Sequence, residues 1–439
     1  MGLLLLNLLR RSRGASLIRA SIVIIIGYLF ILEPADTALG VQTTFCIFHL
    51  EKYSYLLIII TVIILLLSYS RDSFNLIKAH ANKLFTLTSA IAVTVIIVFE
   101  ATSPFIFYLI FEVSVIPIFI IIIGWGYQPE KVIASISIFL YTLILAAPLI
   151  TIAFIRSNSG LINSLFMWTY NRCNSALLGS LTIILTLGLL VKIPMYGTHL
   201  WLPIAHVEAP VFGSIILAGI LLKLGGYGLY KFIPFIRPTS YQLLIIRISL
   251  MGFSAVNILC LQITDIKIVI AYSSVSHIAL VIIMSSLIST FVFNSSLLIM
   301  LTHAFRSSML FIVAFYIYNF TNTRNVIINR GFANKNSILM LIWVCATIAS
   351  IGTPPFINLI SEIVCLGTTL IVAKLLRPYL LLGFIAGRAF HLIMYSSISQ
   401  GACVWERARI VVSTRASIQT NILAHVLWLL LSWAALMII

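Results

Sequence analysis

The sequence predicts an all-α polytopic membrane protein, and three observations predict it. Of 439 residues, 61% belong to the hydrophobic set. Only 9% are charged, where a soluble domain carries roughly 25%. The apolar residues also run continuously, over lengths near the roughly 20 residues a helix needs to cross the hydrocarbon core. Barrel strands are short and alternate, so helices, which satisfy their own backbone, are the crossing element. The same balance excludes a soluble enzyme, a disordered chain, a collagen-like fibre and a small disulfide scaffold.

Hydropathy places about thirteen spans. They lie near 20–32, 54–69, 85–100, 104–124, 132–155, 177–195, 210–232, 241–262, 266–288, 291–319, 337–376 (interrupted), 379–399 and 420–439. Ahead of them, residues 1–20 hold Arg10, Arg11, Arg13 and Arg19, Ser12 and Ser16, and no acid. That composition fits a mitochondrial transit segment, or a basic arm on the positive-inside face, which is the preferred reading. The run 3–9 is too short to cross a bilayer. Alternating sides puts Arg71, Lys78, Lys83, Arg324, Arg330, Lys335, Lys374 and Arg377 on the face of that arm. Arg156, Arg172, Arg407, Arg409 and Arg415 fall opposite. The bias is weak and favours an N-terminus on the cytoplasmic or matrix side.

The formal charge is +16, from 27 Lys+Arg against 11 Asp+Glu. The bases are spread over short loops and span ends, which suits an anionic lipid surface rather than nucleic acid. Cys46, Cys173, Cys260, Cys345, Cys365 and Cys403 form no C-x-x-C pair, which argues against an iron–sulfur or structural zinc site and reads as small apolar fillers. The chain has no phosphate-binding G-x-x-x-x-G-K-[ST] loop and thus no nucleotide chemistry of that kind. No cofactor and no metal are expected in this chain.

Two segments break the apolar pattern in a similar way. The first runs Val191-Lys192-Ile193-Pro194-Met195-Tyr196-Gly197 and continues through His199, Pro203, His206, Glu208 and Pro210. The second runs Gly352-Thr353-Pro354-Pro355 and continues to Asn358, Ser361 and Glu362. Proline removes a donor and clashes with the preceding turn, and in lipid the freed carbonyls must find other partners. Such a pair of breaks fits a transporter built from internal repeats, or two plain proline kinks.

The ionisable residues inside the spans carry the functional reading. A charge at the bilayer centre costs about 2.5–3.5 kcal/mol on the insertion scale. Yet Glu112, Lys223, His277, His303, Arg306, Glu362 and Arg388 sit near span centres, and Lys192 stands just before Pro194. One such group is a helix staple; this many over several helices make a hydrophilic path. Acids, lysines and histidines can all exchange a proton, and a Glu112–Lys192 contact would couple two of them. The glycines of Leu224-Gly225-Gly226-Tyr227-Gly228 allow helices to approach Lys223 closely. Hydroxyls one turn before His277 are placed to bond its ring. His303 and Arg306 share a helix face. His199 and His206, seven residues apart, would share one too if that stretch is helical, but no third ligand accompanies them as a metal would need.

The block 191–210, continued by Leu221-Leu222-Lys223-Leu224-Gly225-Gly226-Tyr227-Gly228, resembles the antiporter-like subunits of proton-pumping NADH–quinone oxidoreductase, most closely their mitochondrial members. Phe111-Glu112 with Ile116-Pro117, Gly124-Trp125-Gly126-Tyr127-Gln128-Pro129-Glu130, Ala271-Tyr272-Ser273-Ser274-Val275-Ser276-His277, and Pro354-Pro355 with Asn358 and Glu362 support it. The resemblance covers roughly 100–400. It implies a bundle of fourteen helices, so 13–14 in all, with two inverted five-helix repeats, each with a broken helix. Residues 1–100 would be the N-terminal arm and first helices, 101–240 and 241–400 the two repeats, and 401–439 a loop and last helix. It implies a proton path through a Glu112–Lys192 pair, a central Lys223, His277 and His303, and an exit-side Glu362. The reaction would be proton translocation driven by quinone reduction in other subunits, with no redox centre in this chain. Expected partners are other membrane-arm subunits, neighbouring antiporter-like chains among them, and membrane lipids such as cardiolipin; nucleic acid is not one. The mitochondrial inner membrane is the expected location. Arg306, where the family usually has a small hydroxyl residue, and Arg388 depart from the pattern, and the start reads one helix short. The runner-up is a free-standing multisubunit cation/proton antiporter; a third reading is a structural subunit with idle ionisable groups.

Overall fold

The computed structural model describes residues 52–68, 81–101, 103–158, 186–232, 240–287, 289–334, 337–372, 376–401, 424–427 and 429–430. The basic arm, the span expected near 20–32, the first part of that near 177–195, most of 420–439, and Cys46, Cys173 and Cys403 lie outside them. Among the described residues the named elements are all helical, in line with the predicted class.

The elements follow the hydropathy in order. They are α1 (Lys52–Ser68), α2 (Ala81–Glu100), α3 (Pro104–Val113), α4 (Val115–Trp125) and α5 (Lys131–Asn158). After the helical residues 186–192 come α6 (Trp201–Glu208), α7 (Val211–Ile216), a π-helical turn (Leu217–Leu221) and α8 (Leu222–Phe232). Then follow α9 (Ser240–Cys260), α10 (Ile266–Ser286), α11 (Thr290–Thr321), α12 (Ser337–Ile351), α13 (Asn358–Val372) and α14 (Arg377–Ser399). Local chemistry sets the ends. Ser103 caps α3 through Ile106 N, with Pro104 in the first turn where its missing N–H costs nothing. Asp265 caps α10 and Ser289 caps α11 through the same kind of acceptor. Asn322, at φ 54°, closes α11 in the left-handed conformation.

Burial sorts these helices into an inner and an outer set. The apolar 18-residue cores of the spans 211–232, 266–286 and 291–321 are 94%, 89% and 100% buried, against 39% for that of α14. The inner three carry Lys223, His277, His303 and Arg306, so the polar residues are grouped at the centre. Outer faces present Ile133, Ile144, Phe291, Leu341, Ile371 and Ile385, an apolar rind suited to lipid or neighbouring helices.

Both predicted breaks are present. Pro194 has no N–H, and Leu190 O is taken up by Met195 N at 3.2 Å and by Thr198 Oγ1 at 3.4 Å. Trp201 Nε1 donates to Val191 O at 3.1 Å. Gly197 reverses the chain at φ 100°, a conformation costly for residues with a Cβ. The short helix α6 inside this break was not expected. The second break ends α12 at Gly352, φ 74°, and α13 restarts at Asn358 after Phe356 N bonds Thr353 O at 3.0 Å.

The glycine-rich face of α8 packs tightly, as the sequence suggested. A Cβ on Gly225 would collide with Ile193 Cγ1 and meet the Ile193 backbone N at 3.3 Å. Gly225→Val should therefore destabilise by about 1–3 kcal/mol through overpacking. The check is a lower melting temperature of the purified protein; an unchanged one would show the contact to be slack.

Candidate functional site

The first polar group lies where α3 ends beside the first break. Lys192 Nζ stands 2.8 Å from Glu112 Oε1, the contact the sequence left open. The contact is a buried salt bridge. The ammonium donates to Phe111 O at 3.0 Å and sits 3.6 Å from the Phe111 ring centre. Both residues occupy the last turn of a helix. A cation is favoured there and an anion is not, so Lys192 offsets the placement of Glu112.

The second group is central. Lys223 Nζ lies 2.9 Å from His303 Nδ1 and donates to Ala218 O at 2.6 Å. Ala218 belongs to the π-helical turn, whose wider spacing leaves its carbonyl open to the side chain five residues on. His303 and His277 face each other at 6.3 Å between ring centres. Among the described residues His303 Nε2 and His277 Nδ1 have no partner in the chain. The serines before His277 do not bond its ring. Ser273, Ser274 and Ser276 each turn back onto the carbonyl three residues earlier, the usual choice of a hydroxyl within a helix.

The third group sits at the second break. Asn358 Nδ2 donates to Glu362 Oε1 at 2.6 Å, and Thr302 Oγ1 donates to Asn358 Oδ1 at 3.2 Å. A Cβ on Gly352 would meet Glu362 Oε2 at 2.7 Å, so glycine gives the carboxylate its room. Arg306, one turn past His303, is buried, donates to Ser350 O at 3.5 Å and lies within the field of Glu362. Arg388 is exposed on α14, its guanidinium 6.0 Å from the Phe384 ring centre. Among the described residues no side-chain hydrogen bond joins Lys192 to Lys223, so the structure brings the candidates together as three groups. His199 accepts from Gly197 N at 3.2 Å, while His206 stacks on Phe311 at 4.8 Å. These two histidines serve different surroundings.

Sequence reasoning missed four residues. Lys267 donates to Val207 O and Ala209 O, both at 3.2 Å, and so ties the end of α6 to the start of α10. Its signal was a lysine inside an apolar span, two residues after a capping Asp. Asp265, outside the spans and half-buried, has its carboxyl held above the ordinary range: burial outweighs the charges of Arg324 and Lys267. His391 and Asn257 are buried in α14 and α9, and each was visible as a polar residue within a span.

Comparison with known proteins matches residues 101–386 to the family described as "NADH:quinone oxidoreductase/Mrp antiporter, TM". The chain belongs to that family. Among its relatives, NADH-ubiquinone oxidoreductase chain 4 of Ceratitis capitata is 36% identical over 318 residues, 71% of this chain and 70% of that one. The chain of the same name from Lumbricus terrestris is 35% identical over 358 residues, 79% and 77% of the two. A chain of respiratory complex I from Thermus thermophilus shares the fold, with a TM-score of 0.82 and 20% identity over 98% of this chain and 92% of that one. The family match takes in every site residue predicted from the sequence, from Glu112 to Glu362, and stops short of His391. Membership in the antiporter-like family agrees with the resemblance carried by the 191–228 block.

Proposed function

We propose that this chain is a proton-translocating, antiporter-like subunit in the membrane arm of an NADH:ubiquinone oxidoreductase, seated in the mitochondrial inner membrane. The reading is supported by the chain-4 names of its relatives. The observation that carries it is the Lys223–His303 contact with His277 beside it, enclosed by the three most buried spans among the described residues. Apolar residues would fill that place at less cost, so the exchangeable protons are what the site retains.

In this reading Glu112 and Lys192 form the loading pair. While they touch, the ammonium is compensated. When a movement at the first break parts them, an unpaired buried charge is costly, and the proton passes toward Lys223. From Lys223 it reaches His303 and His277, and Glu362 releases it on the far side. The two broken segments belong to two inverted repeats, over 101–240 and 241–400, and supply the movable joints. Quinone reduction in other subunits drives the cycle, and this chain holds no redox centre. Its partners are the other membrane-arm subunits, antiporter-like neighbours among them, and the surrounding lipid.

Purification of the native assembly tests the proposal. The chain is expected to travel with flavin and iron–sulfur subunits, and the assembly in sealed vesicles to acidify one side on NADH addition. Sodium-dependent transport by an assembly free of those subunits would instead favour a stand-alone cation/proton antiporter.

A further inference from the structure

His391 has no place in the path described above, yet it stands at its edge. It projects from α14, is only 2% exposed, and neither of its ring nitrogens has a partner among the described residues. Its ring centre lies 6.5 Å from that of His277, which itself lies 6.3 Å from His303. Three imidazoles from α14, α10 and α11 thus follow one another at even spacing. The line continues into α9. Asn257 fixes its Nδ2 on Gly383 O at 2.9 Å, and its Oδ1 is buried without a partner. Asn257 packs against Gly387, where a Cβ would meet Asn257 Nδ2 at 3.2 Å. Gly387 lies one helical turn before His391, on the same face.

The unpartnered atoms therefore form a series: His303 Nε2, His277 Nδ1, both nitrogens of His391, and Asn257 Oδ1. A buried polar atom without a hydrogen bond costs about 1–3 kcal/mol, and native proteins rarely keep several side by side. Ring centres 6.3 and 6.5 Å apart are too far for a direct ring-to-ring hydrogen bond, so proton exchange between them needs a bridging water. A packing role for His391 offers no reason for an imidazole here, since Phe390 beside it already supplies an aromatic ring. The charged groups around the series are Lys223, which touches His303, Arg306 on α11, whose field reaches all three imidazoles, and Arg388 one turn before His391.

We infer that His391 is a proton-exchanging station at which the path forks, one limb running from His277 toward Glu362 and a second toward the α9–α14 seam at Asn257. In the step, an N–H bond of protonated His277 breaks and an N–H bond on His391 forms. One water accepts and donates in between, and a single positive charge moves from α10 to α14 without electron transfer. Asn257 carries no proton; its amide oxygen orients the water beyond His391.

The inference rests on the proposed proton path, so its test carries a control for that path. In the assembled complex, His391→Phe keeps an aromatic ring and removes the exchangeable nitrogens. His391→Asn keeps polarity and cannot carry a proton. Both are expected to lower protons pumped per NADH about twofold, because one of the two limbs loses its proton carrier while the limb to Glu362 remains, with NADH oxidation by a water-soluble acceptor unchanged. His391→Phe pumping at the wild-type level, while Lys223→Met does not pump, overturns the fork and leaves the main path standing. Normal pumping by Lys223→Met removes the path and the fork together. Should the His391 variants fail to assemble, hydrogen–deuterium exchange at the imidazole C2 position of the wild-type complex decides, because that exchange needs water and a protonatable ring. Exchange at His391 matching that at His277 supports the station. Exchange blocked at His391 but open at His277 and His303 overturns it.

Discussion

Lys223→Met should abolish proton pumping while the complex still assembles. Methionine is unbranched, flexible and apolar, so it can fill the lysine's place beside the α8 glycines. The replacement strands His303 Nδ1 and Ala218 O, which now receive the ammonium. Each stranded group costs about 1–3 kcal/mol, a modest sum against a helix bundle whose central spans are almost wholly buried. The functional loss is larger, because a positioned proton carrier contributes about 10²–10⁴-fold. NADH-driven acidification by complex in sealed vesicles is the readout, with NADH oxidation by a water-soluble acceptor as the internal standard. Lys223→Arg sharpens the reading. Arginine keeps the positive charge and the donors but does not give up its proton. A carrier at 223 therefore predicts that arginine fails like methionine, whereas a helix staple predicts that arginine works. Pumping by the arginine variant at the wild-type rate would remove Lys223 from the path.

Most of the fold was legible in the sequence because lipid imposes a coarse rule. A helix must be long and apolar, and the spans near 54–69, 241–262, 266–288 and 379–399 match α1, α9, α10 and α14 to within two residues at each end. Pro194 and the Pro354-Pro355 pair announced the two breaks, since proline cannot donate to the helix. The rest depended on distance. The short helix α6 lies within a proline-rich segment whose pattern reads only as an interruption. The π-helical turn at Leu217–Leu221 leaves no mark in composition, yet it opens the Ala218 carbonyl to Lys223. At the site, residue type was enough to pick out Glu112, Lys192, Lys223, His277, His303 and Glu362 as costly in lipid. It could not show that they fall into three groups. Nor could it show that the serines before His277 bond their own helix, or that Asn358, four residues before Glu362, holds its carboxylate. Lys267 and His391 carried the same signal as the chosen residues, a polar group inside an apolar span. What separates them is where the neighbouring helices end: Lys267 meets two carbonyls of the α6 terminus, and His391 meets the ring of His277.

The Glu112–Lys192 pair allows structure and transport to be separated by substitution. Glu112→Ala leaves the Lys192 ammonium, 7% exposed, with a carbonyl and an aromatic face but no counter-charge. Breaking a buried ion pair from one side costs about 3–5 kcal/mol, while replacing both partners by apolar groups is often neutral. Glu112→Ala alone should therefore lower both the melting temperature and the yield of assembled complex. The double variant Glu112→Ala with Lys192→Met should recover both. Pumping should follow neither trend. If the pair loads the path, the double variant assembles normally and still pumps at least about a hundredfold more slowly, since both proton-exchanging groups are gone. If the pair only fastens α3 to the first break, the double variant recovers transport together with stability. Melting temperature and NADH-driven acidification measured on the same three preparations distinguish the two. Recovery of pumping in the double variant would strike Glu112 and Lys192 from the proton path and leave Lys223, His303 and His277 as its beginning.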